Sequence, residues 1–242
     1  AMAVNAPYLL EFSTAKVPTE TLDYLVNSKR EILGYGFEEL FKITADNHAR
    51  ALRVTLASGV AQGMHQSKII KELNIKNESL TNSQLYTNVF TTIKDAREQT
   101  TYATYKQLED LGVVIGYKSI GVLDSRTSDI CRNLDGVQWM VKIADVPNKP
   151  PRHMRCRSKL APITTNEYKS GLRASIDGEI PDMSYGEWFA TKDDKFQLMT
   201  IGRTKFDAYK KGIYKVGGVE YLKPKNSISL DDIAEELIRT SK

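Results

Sequence analysis

The stretch "SIGVLDSRTSDICRNLDGVQWMVKIADVPNKPPRHMRCRSKLAPI", residues 119–163, holds both cysteines of the chain and one of its three histidines. Cys131 stands in a short polar segment, whereas His153 and Cys156 lie close together in "PPRHMRC". Two cysteines are too few for a disulfide framework in a chain of 242 residues, so the thiols are expected to be reactive, metal-bound or simply buried. The three residues predict a local structure organised around them.

β-Branched residues and glycines flank the polar segment and predict short strands on both sides of it. The predicted strands cover residues 113–123, 137–141 and 156–163. Before them, the segment from Leu80 to Leu111 contains neither Gly nor Pro, which predicts one long helix. Its expected buried face consists of Leu85, Val89, Ile93, Ala96, Thr100, Ala103 and Leu108. A long helix therefore precedes a small β-containing core around residues 113–163.

The rest of the chain is predicted to be mainly helical. The expected helices cover residues 19–33, a longer segment from Phe37 to Gly59 or Gly63, the short segment "QSKIIKEL", two or three short helices broken at Asp193 and Gly202, and a last helix after Ser229. The sequence thus predicts an α+β fold in three parts. These are a helical N-terminal region at 1–78, the long helix with the β-containing core at 79–164, and a helical C-terminal tail at 165–242.

Charge and hydropathy exclude few functional classes. The formal net charge of +4 is too small to indicate nucleic-acid binding by itself. No stretch approaches the roughly 20 apolar residues that a membrane-spanning helix needs, and the opening "AMAVNAPYLLEF" lacks the pattern of a signal peptide. We therefore expect a protein of the cell interior that has no membrane partner.

The spacing of Cys131, His153 and Cys156 leaves four interpretations open. They are two buried thiols with a packed histidine, a metal site, a disulfide between the cysteines, and catalytic Cys–His chemistry. Two thiolates and one imidazole suit zinc, but a structural zinc site normally has four protein ligands. No cofactor is expected, and zinc is the candidate if a metal binds.

The missing fourth ligand limits the metal interpretation. Ser158 stands where a further thiol would complete the set, and a hydroxyl is a poor zinc ligand. The other candidates are a water and the carboxylates of Asp124, Asp129 and Asp135. We expect zinc to be absent or removable by a chelator, and the Cα atoms of Cys131 and Cys156 to lie within about 7 Å of each other.

The segment "DSRTSDICRNLDG" is interpreted as a structural corner between a strand and a short helix. The Asp124 carboxylate can accept backbone N–H bonds in the turn, and Arg126 can pair with a nearby carboxylate or carbonyl. The expected structural residues are Asp124, Arg126, Thr127, Ser128, Leu134 and Gly136. Because no phosphate-binding loop, dinucleotide fingerprint or nucleophile elbow is present, we expect no catalytic residues and no enzyme.

Basic residues cluster around "KPPRHMRCRSK". The cluster consists of Lys149, Arg152, Arg155, Arg157 and Lys159, with Arg132 earlier in the chain. In an extended strand, alternate members would share one face. We take Arg152, Arg155, Arg157 and Lys159 as candidate contacts to DNA phosphates, with a solvated rim around the motif as the alternative.

These motifs resemble the signature of the phage Mu F-like head morphogenesis proteins, the minor head proteins of tailed phages. That family shows a D-x-R-T-S-x-x-C-x-x-L-D-G block followed by an H-P-N-C-R-C block. The segments "LYTNVFTTIKDAREQTTYATYKQL" and "YGEWFATKDDKFQLMTIGRTKFDAYKKG" are also similar to the family. This sequence departs from the pattern at Met154, Arg155, Ser158 and Phe189, and Ser158 in place of a cysteine removes a candidate metal ligand.

The resemblance implies an architectural role in the phage head. It implies a protein bound to the portal protein in the capsid interior, in contact with packaged double-stranded DNA, with an effect on DNA ejection. The expected locations are the host cytoplasm during assembly and the interior of the virion head. The alternatives are a prophage-encoded toxin or metal-dependent enzyme that carries this domain, and a free-standing DNA-binding protein.

Overall fold

The computed structural model describes residues 17–27, 31–42, 46–76, 80–164 and 171–218. The chain divides into two compact units, Ala1–Thr100 and Thr101–Lys242. The described residues contain helices and small antiparallel sheets, so the predicted α+β class is confirmed. The three-part division expected from the sequence stays a prediction, and the helix expected after Ser229 lies outside the described residues.

The described part of the first unit is helical. Its helices are α1 (Thr19–Asn27), α2 (Phe37–Leu40), α3 (Asp46–Ala61), α4 (Gln66–Lys76) and the first part of α5 (Asn82–Asp110). The prediction of a single helix from Phe37 to Gly59 or Gly63 is wrong in its continuity, because α2 ends at Leu40 and Lys42 adopts a positive φ of 50°. The predicted end is close, since α3 ends at Ala61. The helix predicted to reach residue 33 is also too long, since Ile32 and Tyr35 pair across a turn.

Helix α5 confirms the prediction of one long helix that ends before Gly112. Leu85, Val89, Ile93 and Ala96 are buried as expected. Ala103 is exposed, and this part of the prediction is wrong. Tyr102 is buried in its place, because the last turns of α5 pack their tyrosines against residues of the β-containing core.

The second unit is built on a three-stranded antiparallel sheet in the order β2-β1-β3. Its strands are β1 (Val114–Ile120), β2 (Gln138–Trp139) and β3 (Lys159–Thr164). The short helix α6 (Asp129–Leu134) lies between β1 and β2 in the chain, and a 3-10 helix follows at Ile143–Asp145. The predicted strands are therefore present but shorter, and β3 begins three residues after Cys156.

The tail, in its described residues 171–218, combines a β-hairpin with three helices. The hairpin consists of β4 (Leu172–Ser175) and β5 (Gly178–Pro181), and the helices are α7 (Tyr185–Ala190), α8 (Asp194–Ile201) and α9 (Arg203–Lys210). The breaks predicted at Asp193 and Gly202 are confirmed. The tail is helical as predicted but also contains a hairpin that was not predicted, in which Asp177-Gly178 closes a tight turn and Gly178 has a φ of 100°.

Two apolar clusters position the candidate site. In one, Trp188, Tyr185 and Phe189 of α7 pack with Leu123, which follows β1. In the other, Tyr102, Tyr117 and Leu160 join the end of α5 to β1 and β3. No helix among the described residues is both long and apolar enough to cross a membrane.

Candidate metal centre

The structure brings Cys131, His153 and Cys156 together. The two sulfur atoms are 3.8 Å apart, and Cys131 Sγ lies 3.3 Å from His153 Nε2. One potential ligand atom from each of the three residues lies within 4.8 Å of the others. The cysteines are buried and do not form a disulfide, so the disulfide interpretation does not describe this structure.

Local turns deliver the three side chains from separate segments. Cys131 lies on α6, which begins after Ser128 in extended conformation. His153 and Cys156 are joined by a turn in which the Cys156 N–H donates to the His153 carbonyl. Arg155 has a positive φ of 57° in this turn, so residues 153–156 curl instead of extending towards β3.

The hydrogen bonds of His153 define the orientation of its ring. Nδ1 lies 2.8 Å from the Met154 carbonyl oxygen, which can only accept, so Nδ1 carries a hydrogen. Nε2 faces Ser128 Oγ at 2.7 Å and the Cys131 sulfur. The imidazole therefore presents Nε2 to the cysteines.

The sulfurs and the imidazole shift one another's protonation. The hydrogen bond from Cys156 lowers the pKa of Cys131, with further support from His153, Ser158 and Ser128, although burial opposes it. The hydrogen bond with Cys131 raises the pKa of Cys156, and burial raises it further. The hydrogen bond with Cys131 also raises the pKa of His153, against the effect of burial. Cys131 is thus favoured as the thiolate of the pair.

A pocket of about 20 Å³ opens onto this cluster, which is roughly the space of one water. Its polar lining consists of Ser128, Cys131, His153, Ser158, Thr127, Arg126, Arg155 and Arg157. Three of the lining residues are arginines, so basic residues border the pocket, although Arg157 is itself paired with Asp124.

Asp124 forms the predicted corner. Its Oδ1 accepts from the Arg126 N–H at 3.0 Å and from the Thr127 hydroxyl at 3.1 Å. Arg157 donates to both carboxylate oxygens, at 2.5 and 2.8 Å. Burial would raise the pKa of Asp124, but the hydrogen bonds from Arg157 outweigh it and the pKa is lowered. The Arg126 side chain is exposed and lies 3.7 Å from the carboxylate, so Arg157 is the main ionic partner.

Residues 50–161 match the family described as Phage Mu protein F like protein. This part of the chain is similar to the phage Mu F-like family. The match contains the Asp124 corner and all three members of the cysteine–histidine cluster, and it supports a phage head-related protein. No curated protein and no solved structure matches the chain.

The end of α6 in the Mu F-like region contains a second buried ion pair. Asp135 accepts from the Gly121 N–H at 2.6 Å, from Arg173 at 2.6 and 2.9 Å, and from the Tyr185 N–H at 2.6 Å. Leu134 is fully buried, and Gly136 has a φ of 80°, which glycine adopts without strain. The two predicted structural residues thus flank the aspartate that makes these bonds.

None of the three proposed aspartates joins the cysteine–histidine cluster of the Mu F-like region. Asp124 binds Arg157, Asp129 binds Arg132 and Lys205, and Asp135 binds Arg173. Sequence reasoning missed Arg173 as the partner of Asp135. The Asp177-Gly178 turn was the available signal, because it predicts the hairpin on which Arg173 lies.

The basic residues of the Mu F-like region do not share the face of one strand, because β3 begins only at Lys159. The Arg152 guanidinium donates to the Asn148 carbonyl and to Ser119 Oγ, and Arg157 is held by Asp124. Lys149 donates to the carbonyls of the 3-10 segment. Arg155 and Lys159 are exposed. DNA contact by this cluster stays a prediction.

Proposed function

We propose that this chain is a minor head protein that acts in head morphogenesis from the capsid interior, bound to the portal protein. The match of residues 50–161 to the phage Mu F-like family is the observation that carries this proposal. The proposal includes an effect on DNA packaging or ejection, with packaged double-stranded DNA as a further partner. It places the chain in the host cytoplasm during assembly and in the virion head afterwards.

The folded signature supports an architectural role over a catalytic one. Asp124, Thr127 and Arg157 bind one another and so fix the backbone between β1 and α6. The proposal therefore retains the expectation that the chain is not an enzyme. The exposed residues Arg155 and Lys159 are the members of the basic cluster best placed to meet DNA phosphates.

The test is co-purification with the portal ring of the phage or prophage that encodes the chain. We expect the tagged chain to retain the portal protein, and a deletion of the gene to reduce infectious particles until the wild-type gene is restored. Arg155→Ala combined with Lys159→Ala tests the DNA contact separately. It should weaken salt-sensitive binding to duplex DNA and leave portal binding unchanged.

Other results would contradict the proposal or support an alternative function. Normal particle yield after deletion, together with no retention of the portal protein, would contradict the proposal. Growth inhibition on expression of the chain in the host would support the toxin or enzyme alternative instead. A tagged capsid protein that does not contact the portal serves as the matched control for the co-purification.

A further inference from the structure

Two of the three distances between ligand atoms in the cysteine–histidine cluster are close to those of a metal coordination shell, and all three are within 4.8 Å. In tetrahedral zinc with Zn–S near 2.3 Å and Zn–N near 2.0–2.1 Å, two sulfurs lie about 3.8 Å apart, and a sulfur and a nitrogen about 3.5 Å apart. The observed separations are 3.8 Å between the sulfurs and 3.3 Å between Cys131 Sγ and His153 Nε2. A disulfide would need about 2.05 Å.

Hydrogen-bond partners orient the residues of the cluster in the way that metal ligands are usually oriented. The His153 Nδ1–H donates to the Met154 carbonyl, an arrangement that orients metal-binding histidines and leaves the other nitrogen for the metal. Backbone N–H groups of Arg152 and Ser158 bind Cys156, and the Arg152 guanidinium lies 3.9 Å from Cys131 Sγ. Hydrogen-bond donors therefore border both sulfurs.

We propose that Cys131, His153 and Cys156 bind one zinc ion in an open site, with an exchangeable oxygen ligand in the fourth position. Among the described residues no further Cys, His, Asp or Glu joins the group. The fourth position faces the small pocket beside Ser128 and Ser158. The pocket arginines favour an anionic oxygen there, such as that of a phosphate, over neutral water.

This zinc site does not depend on the head-protein proposal, because it rests on the geometry of three side chains. Of the two outcomes expected from the sequence, zinc that is absent and zinc that a chelator can remove, it retains the second. Three protein ligands with a water or another small ligand in the fourth position are the arrangement of open zinc sites. A chelator should therefore remove the ion, since it can enter through the fourth position.

The first experiment measures metal in the full-length chain purified under reducing conditions. We expect one equivalent of zinc by elemental analysis, its removal by EDTA and its return on addition of zinc. Cobalt added to the metal-free chain should give the intense visible bands of tetrahedral Co²⁺ and a thiolate-to-cobalt charge-transfer band. A reduced, folded wild-type chain that binds neither metal would overturn the proposal without any variant.

Substitutions then assign the ligands. Cys131→Ser, Cys156→Ser and His153→Ala should each lower zinc affinity by more than the about 10–100-fold typical of losing a second-shell partner. His65→Ala is the matched control, because His65 is exposed and binds Ser67 outside the cluster. Retention of wild-type affinity in any of the three ligand variants would show that the assigned residue is not a ligand.

The open position has its own test. Inorganic phosphate or azide should shift the cobalt spectrum of the wild-type chain. Ser158→Cys should abolish that shift and slow removal by EDTA, because the Ser158 side chain already contacts Cys131 and a thiol there can close the shell. If neither anion shifts the cobalt spectrum of the wild-type chain and Ser128→Ala loses zinc, the site is closed and Ser128 is its fourth ligand.

Discussion

Asp124 lies five residues before α6 and Asp135 follows its last residue; each binds an arginine, but their surroundings differ. In the Asp135–Arg173 pair the side chains are 0% and 7% exposed. In the Asp124–Arg157 pair they are 7% and 28% exposed, and Arg157 also lines the pocket beside Cys131. One carboxylate is enclosed by protein donors, whereas the other holds an arginine at the edge of the candidate metal centre.

The enclosed pair organises more of the chain. Arg173 donates to Asp135 and also to the carbonyls of Gly121 and Met183, so the hairpin, the end of β1 and the start of α7 meet at one guanidinium. Tyr185 touches both aspartates, since its N–H binds the Asp135 carboxylate and its hydroxyl binds the Asp124 carbonyl. The difference indicates that Asp135 acts mainly in folding, while Asp124 also positions a charge beside the candidate metal centre.

The largest effect is expected from Asp135→Ala. The substitution leaves Arg173 buried without its carboxylate, and breaking a buried pair in this way costs about 3–5 kcal/mol of unfolding free energy. Denaturant unfolding followed by circular dichroism measures the loss. Asp207→Ala is the control, because Asp207 pairs with Arg203 at the surface, where such pairs contribute about 0–1 kcal/mol.

A double substitution sharpens the test. If the cost of Asp135→Ala arises from the unpaired arginine, Asp135→Leu combined with Arg173→Met should be less destabilising than Asp135→Ala alone. A double variant as unstable as the sum of the two single variants would instead show that the bonds to Gly121, Met183 and Tyr185 carry the stability.

The elements with local signals could be predicted from the sequence, and those with distant partners could not. Helix α5 was predictable because no Gly or Pro interrupts it before Gly112, and the breaks at Asp193 and Gly202 follow from capping residues. The hairpin was missed although Asp177-Gly178 signals it. Because the hairpin was not predicted, Arg173 was not identified as the partner of Asp135. Asp135 was therefore considered only as a metal ligand.

The candidate site shows the same limit. The gathering of Cys131, His153 and Cys156 was predicted from composition and spacing alone. The bond from His153 Nδ1 to the Met154 carbonyl depends on the curled turn at Arg155, and a positive φ at arginine has no sequence signal. Because residues 153–156 curl, the arginines do not alternate along the face of one strand as predicted.

A smaller effect is expected from Asp124→Asn, and it should depend on pH. The lowered pKa of Asp124 means that its ionised form stabilises the folded chain above the unfolded pKa of about 3.9, and that this contribution is lost as pH falls through the folded pKa. The variant should lose about 1–3 kcal/mol near neutral pH. Urea unfolding of both proteins between neutral and acidic pH measures the difference.

The prediction is tested by the difference in unfolding free energy between the wild-type chain and Asp124→Asn. The pKa values of Asp177 and Glu187 are also lowered, by Lys192 and by Ser184 respectively, but these groups are common to both proteins and cancel. A difference that stayed constant down to the acid transition would show that the charge of Asp124 is not what Arg157 recognises in folding.

The smallest effect is expected from Tyr185→Phe, which separates the two aspartates. The Tyr185 backbone N–H still binds Asp135, so the enclosed pair is intact, and only the hydroxyl bond to the Asp124 carbonyl at 2.8 Å is lost. Loss of one neutral buried hydrogen bond costs about 1 kcal/mol, measurable by denaturant unfolding against the exposed Tyr35→Phe control. If the cost approached that of Asp135→Ala, Asp124 and Asp135 would belong to one network, and the contrast between the enclosed Asp135–Arg173 pair and the more exposed Asp124–Arg157 pair would not hold.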